Sequence, residues 1–326
     1  MAFFAILIAL VLEQVRPLTP DNALSAQLRG WLRALVRNVD AGGARHGWLA
    51  WALAVVMPAL AVAGVNWLAG WLAGWPLQLL CSVAVLYLTL GFRQFSHHFT
   101  AIRDALEADD DERARTLLAR WQQLDAATLA RGEIARLVIE YSVLAAHRHV
   151  FGVLPWFCLT MVLGLGPSGA VLYRCAGFVS SYWRRKAQAA DQPVSPALSQ
   201  TAAQAWRVLD WLPARATALA LAIVGSFEDA IQVWSQHAAR FADSNDGVVL
   251  AATAGAIGVR LGGGALKPAA PAAVDASGLA AAMSAQPLPG EPPRPAHFAQ
   301  VIGLLWRMVA LWLLLLALLT LARVIG

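Results

Sequence analysis

Residues 48–72 read WLAWALAVVMPALAVAGVNWLAGWL. The stretch carries no formal charge, and Asn66 is its one strongly polar side chain. About 20 apolar residues at 1.5 Å of helical rise cross a bilayer core, so this segment is a membrane span. A second apolar run, Pro76 to Phe92, follows the uncharged tripeptide Ala73-Gly74-Trp75. Two spans so closely joined form a tight helical hairpin. Arg-rich outer flanks place both of its ends in the cytoplasm and the turn outside. Trp67, Trp71 and Trp75 near the turn fit an interfacial aromatic belt.

Upstream, Met1–Leu12 is apolar but too short to span. It has no basic leader, and Glu13 stands where a signal peptide would carry small residues. It reads as a retained membrane segment, tilted or partly inserted. Residues 13–47 are polar and contain Arg16, Arg29, Arg33, Arg37 and Arg45.

Composition agrees with a membrane class. The 326 residues are 59% hydrophobic and 14% charged, with mean hydropathy +0.56, against about 25% charged in soluble domains. The net charge of +5 comes from basic residues between apolar runs. No basic stripe forms, which argues against nucleic acid as a partner and for the lipid bilayer. Cys81, Cys158 and Cys175 lie in apolar runs without a CxxC pair, so neither a disulfide framework nor a zinc site is expected.

Downstream of the hairpin, residues 93–149 form an insertion of amphipathic helices. Phe92, Phe95, Phe99, Ile102 and Leu106 mark the first apolar face. Asp109, Asp110 and Asp111 open a second helix, whose buried face carries Leu117, Leu118, Trp121 and Leu124. Ile134, Leu137, Val138 and Tyr141 mark a third. Residues 150–183 form a short or re-entrant membrane hairpin broken at Gly164–Gly169. A polar linker, a moderately apolar helix starting near Pro213 and an amphipathic stretch over 228–246 lead to Ser244–Gly264, SNDGVVLAATAGAIGVRLGGG. This piece is small and apolar yet carries Asp246 and Arg260, so it is either a tightly packed helix or the floor of a polar site. Arg260 should therefore face protein or water and not lipid. Residues 265–300 form a flexible Pro/Ala linker, and Val301–Val324 within 301–326 is the last span. The divisions are 1–92, 93–149, 150–183, 184–264, 265–300 and 301–326. The fold class is all-α: a polytopic integral membrane protein with about five to six membrane segments and a cytoplasmic amphipathic helical insertion.

Several motifs dissolve on inspection. Gly164, Gly166 and Gly169 spell GxGxxG, but they join two apolar helices where a dinucleotide fold needs a strand and a helix. Gly262-Gly263-Gly264 lacks the following Lys-Ser/Thr of a phosphate loop. His97-His98 and His147-Arg148-His149 diverge around a helix without a completing ligand, so they read as a basic collar at the headgroups and not as a metal site. No Ser-His-Asp arrangement is present. Asp210, Arg215, Glu228, Asp229, Asn245, Asp246 and Arg260 lie close to apolar helices. They either pair with one another to fix packing or line a cytoplasmic headgroup- or phosphate-binding cavity, for which arginine's planar fork is suited.

These residues include patterns that resemble the CobD/CbiB family of bacterial membrane proteins, from about residue 80 to 263. Asp125, Glu133, Ile134, Arg136, Ile139 and Glu140 resemble the family's Asp-x7-Glu-Ile-x-Arg-x2-Ile-Glu. Asp210-Trp211-Leu212-Pro213-Ala214-Arg215 is similar to its Asn-Trp-Ile-Pro-Ala-Arg, and Asn245, Gly247 and Ala254–Gly263 to its glycine-rich block. The resemblance implies an inner-membrane, multi-pass protein of late cobalamin synthesis. There, ATP and Mg²⁺ drive amide formation between an aminopropanol (or its phosphate) and adenosylcobyric acid. It implies Asp125, Glu140, Asp210, Arg215, Asn245, Asp246 and Arg260 as ligand-binding candidates, with a corrinoid or phosphate-bearing small molecule as partner.

The chain departs from the family at polar positions. Its Ala-Glu-Asn is here Val143-Leu144-Ala145, its Asn-Thr-x-Asp is Gly177-Phe178-Val179-Ser180, and its Asp-Asp is Trp206-Arg207. These losses argue against an intact ligase, so ATP and Mg²⁺ are expected only where ligation is retained. Leu12-Glu13-Gln14, Asp210–Pro213 and Val224–Ala230 resemble the AmpE branch of the superfamily, linked to β-lactamase regulation, although that branch tends to lack the Gly-Val-Arg-Leu-Gly block. Enzyme and non-catalytic AmpE-like sensor both stand open on the sequence. A transporter is a weaker reading, because no paired inverted repeat is visible.

Overall fold

The computed structural model describes residues 2–16, 23–40, 42–122, 124–188, 194–263, 266 and 288–325, with backbone alone at 23–25, 92–97 and 323–325. Every regular element among them is helical, and the extended pairings among these residues are two isolated backbone bridges, Phe241 with Leu266 and Val259 with Glu291. The linker expected at 265–300 falls mostly on 264–265 and 267–287, outside the described residues.

Among the described residues, three helices are long and apolar enough to cross a membrane: Ala44–Ala73, Arg131–Val162 and His297–Ala322. Shorter apolar helices run over Ala2–Val15, Trp75–Thr89 and Trp211–Val224. This is a helical membrane protein. The chain divides into two compact units.

The first unit comprises 1–94, 148–213 and 315–326. It holds α1 (Ala2–Val15), α2 (Ala23–Val39), α3 (Ala44–Ala73) and α4 (Trp75–Thr89). Gly74, at φ 69°, ends α3 and starts α4, a backbone conformation that suits glycine. Later in the chain come α8 (Val153–Val162), α9 (Ser168–Ala187) and α10 (Pro196–Leu209). Helix α3 packs against α4, α9 and α10. A core joining α2, α3, α9 and α10 is built from Leu32, Ala54, Val55, Val179, Trp183 and Leu198, among others. Small residues set the approach: a Cβ on Gly47 would lie 2.7 Å from the Thr201 hydroxyl. The polar Asn66 of α3 is buried against Gly166 in the α8–α9 turn, where a Cβ would meet its amide at 2.3 Å.

The second unit comprises 95–147 and 214–314. Its helices are α5 (Phe92–Glu107), α6 (Asp111–Gln122), α7 (Arg131–Ala146), most of α11 (Trp211–Val224), α12 (Phe227–His237), α13 (Ser244–Ile257) and the first part of α14 (His297–Ile325). Phe99, Ile102 and Leu106 are buried on α5, whereas the side chains of Phe92 and Phe95 fall outside the described set. Asp110 accepts the Arg113 N–H at 3.0 Å and so caps α6. Helix α7 is buried around most of its surface, including Arg136 and Glu140. Through a π-turn at His147–Phe151 it continues toward α8. His147 does not belong to an exposed collar: it is fully buried and its Nδ1 lies 2.9 Å from the Thr217 hydroxyl.

Candidate functional site

Helix α13 settles what the glycine-rich stretch is. From Gly247 to Ala256 every residue is buried, so this part is a packed helix. A Cβ on Gly255 would lie 2.3 Å from the Asp229 carbonyl oxygen, so the backbones of α12 and α13 approach as only glycine permits. Asp243 caps the helix by accepting N–H groups of Asn245 (3.0 Å) and Asp246 (3.2 Å). The helix ends at Gly258, in the left-handed conformation at φ 65°.

Beyond this turn the chain reaches α7. Glu133, Arg136 and Glu140, spaced three and four apart, fall along one side of that helix. The Arg136 Nη1 donates to both Glu140 oxygens at 2.9 Å, and Nη2 and Nε donate to Glu133 Oε2 at 2.5 and 3.1 Å. Glu140 Oε1 also accepts the Gly262 N–H at 2.6 Å. Gly263, at φ +32°, rests on the guanidinium so closely that a Cβ would lie 2.2 Å from Arg136 Cζ. The Arg136 and Glu140 side chains are 10% and 6% exposed. The segment ending in Glu140 and the glycine-rich block, both of which resemble the family, therefore close on each other in this unit.

The other candidates are dispersed. Asp125 is exposed and accepts the Ala127 N–H at 3.0 Å, a local turn. Asp210 is fully buried in the first unit, where the Tyr173 hydroxyl donates to it at 2.7 Å. Arg215 and Asp246 are half-buried and Asn245 is buried; none of the three is free. Arg260 is half-buried and donates to the Gly290 carbonyl at 3.3 Å.

Sequence reasoning missed a cleft of about 400 Å³ in the second unit, lined by Ser226, Asp229, Gly255, Gly258, Gln300 and Arg307. A smaller one of about 250 Å³ shares Asp229, Gly255 and Gly258 and adds Gln232, Gln236 and Gly290. The available signal was Asp229, noted as a polar residue near apolar helices. Nothing in the sequence joined it to Arg307.

Several of the positions that depart from the family are packed in the interior, whereas Arg207 is exposed. A Cβ on Gly177 would lie 3.0 Å from the Trp206 ring, and that ring sits 5.0 Å from the Tyr173 ring, centroid to centroid. Val179 and Ser180 are buried, as are Val143 and Leu144. Among the described residues no three His, Cys, Asp or Glu side chains are grouped to hold a metal. Glu140 is engaged with a guanidinium and a backbone N–H. Both Glu140 oxygens are thus committed to Arg136, and one of them also to Gly262, within the protein.

A family model described as CobD/Cbib protein matches residues 2–273. A cobalamin biosynthesis protein CobD of Stutzerimonas stutzeri is 30% identical over 84% of this chain and 82% of its own length. The CobD of Chromobacterium violaceum is 35% identical over 58% of this chain and 57% of its own. That of Leptospira interrogans is 24% identical over 76% and 75%. No solved structure matches. These relatives are named for cobalamin biosynthesis, and the AmpE-like alternative is not favoured. With the match covering residues 2–273, and a relative 30% identical over 84% of this chain, the chain belongs to the CobD/CbiB family.

Proposed function

We propose that this protein is a multi-pass inner-membrane member of its family that holds a small molecule of cobalamin assembly, either a corrinoid or a phosphate-bearing compound, and does not complete the ATP-dependent amide bond. The pathway follows from the relatives' shared name. The observation that carries the loss of ligation is Trp206 lying on Gly177. The family pattern has polar residues at both positions, and here an indole occupies the space that side chains for a metal or a phosphate would need. The membrane setting is supported by the long apolar helices Ala44–Ala73 and His297–Ala322.

Complementation tests the reading. The chain is expressed in a bacterium deleted for its own family ligase, with membrane insertion checked by immunoblot. The expected result is no growth on cobyric acid as corrinoid source, while the purified protein in detergent perturbs the visible spectrum of added cobyric acid. Growth rescue would overturn the loss of ligation. An unchanged corrinoid spectrum, with no heat of binding by calorimetry, would overturn the ligand assignment.

A further inference from the structure

Arg307 stands inside α14, a helix otherwise built for lipid. Between Arg307 and Arg323 run the 15 uncharged residues Met308–Ala322, about 22 Å of helix at 1.5 Å per residue. Leu314, Leu318, Leu319 and Leu321 on that run are exposed, as a lipid-facing surface would be. The run is shorter than the roughly 30 Å core of a bilayer, and long arginine side chains at the ends of such a run reach outward to the interface, which brings the Arg307 guanidinium toward the headgroups of one leaflet. The neighbouring Trp306 is 47% exposed, an amphipathic ring of the kind enriched at that level.

Arg307 lines the 400 Å³ cleft together with Ser226, Asp229 and Gln300. Its one described hydrogen bond is a long one, Nη1 to the Val224 carbonyl at 3.4 Å, and it forms no ion pair among the described residues. Asp229, exposed in the first turn of α12, accepts the Ser226 hydroxyl at 2.6 Å. The cleft therefore presents a guanidinium and a carboxylate at the membrane boundary. A guanidinium matches a phosphate diester through paired N–H donors. A carboxylate matches a primary ammonium, which donates three hydrogen bonds, and discriminates against a quaternary one, which donates none.

We propose that this cleft is a binding site for the headgroup of an aminophospholipid, with Arg307 on the phosphate and Asp229 on the primary amine. The site is separate from the Glu140–Gly262 junction, and the proposal does not depend on corrinoid binding. Phosphatidylethanolamine supplies both groups. Phosphatidylcholine keeps the phosphate but blocks the amine, and phosphatidylglycerol keeps the phosphate and removes the cation.

The test is native mass spectrometry of the whole protein in detergent, titrated separately with these three lipids and with water-soluble phosphoethanolamine. The ethanolamine lipid should bind about tenfold tighter than the other two, as expected for one additional charge-assisted hydrogen-bonded contact. Arg307→Gln should weaken all three lipids, and Asp229→Asn should abolish the preference while leaving glycerol-lipid binding in place. Equal binding of the three lipids by the unmodified protein overturns the proposal even if neither variant folds. So does an Arg307→Gln protein, helical by circular dichroism, that retains full affinity. Soluble phosphoethanolamine binding as tightly as the lipid would overturn the lipid as the source.

Discussion

The carboxylate of Glu140 accepts the Gly262 N–H at 2.6 Å across 122 residues of sequence. The same carboxylate neutralises Arg136, so one buried acid ties the long helix α7 to the chain leaving α13. Removing one partner of a buried pair leaves the other charge uncompensated.

Glu140→Ala is therefore expected to destabilise the protein by about 3 kcal/mol. Glu140→Gln, which can still accept the Gly262 N–H, should cost less. The double change Arg136→Met with Glu140→Leu should recover much of the loss, because well-packed hydrocarbon replaces the pair. Thermal unfolding in detergent followed by circular dichroism measures all three. A single Glu140→Ala variant as stable as the parent would show the pair to be energetically idle.

Two glycines near one another should respond differently to alanine. At Gly258 the added methyl meets open space, so only the positive φ of 65° resists it, a cost of about 1 kcal/mol. At Gly255 the methyl meets the Asp229 carbonyl at 2.3 Å and must separate two helices, a cost of about 2–3 kcal/mol. The ranking of the two melting temperatures checks this, and a reversed order would contradict the close approach.

In the first unit, Tyr173→Phe removes the hydroxyl that donates to buried Asp210 at 2.7 Å. The expected loss is about 1.5–3 kcal/mol, the range for a hydrogen bond to a charged group. Asp210→Asn keeps an acceptor oxygen and should lose less. Gly152→Ala should also destabilise, since its methyl would come within 2.1 Å of the tyrosine oxygen. Denaturant unfolding of the three variants resolves the order.

Topology is accessible to reporter fusions. Alkaline phosphatase joined at Gly74, in the turn between α3 and α4, should be active because that turn is expected outside. Joined after Lys186, at the basic end of α9, it should be inactive. Activity after Lys186 would invert the orientation drawn from the arginines.

Hydropathy sufficed for the helices that lipid shapes. Trp48–Leu72 lies inside α3, and Val301–Val324 lies inside α14, because about 20 uninterrupted apolar residues have few other uses. Helix α7 was harder. Its apolar face was marked by Ile134, Leu137, Val138 and Tyr141, yet Arg136 and Glu140 satisfy each other in the interior and leave α7 buried around most of its surface. Periodicity reports which residues share a side of a helix and says nothing of which charges cancel. Glu140 entered the candidate set through family resemblance, but its partner Gly262 could not be named, because a backbone N–H carries no sequence signature. The cleft shared by Asp229 and Arg307 was hidden for a related reason. Its walls come from α12, α13 and α14, and no local pattern links their residues.

The glycine at 255 has a consequence for how this lineage can change. Its place is dictated by two backbones in contact, whatever ligand the surrounding surface holds. Purifying selection on packing alone would keep the Ala-Gly-rich block after the chemistry of an ancestor had gone. A descendant could thus carry its parent's most recognisable signature as an inherited joint. Kinship judged from that block traces descent of the scaffold, whereas positions such as 177 and 206, where an indole now packs on a glycine, record what became of the trade.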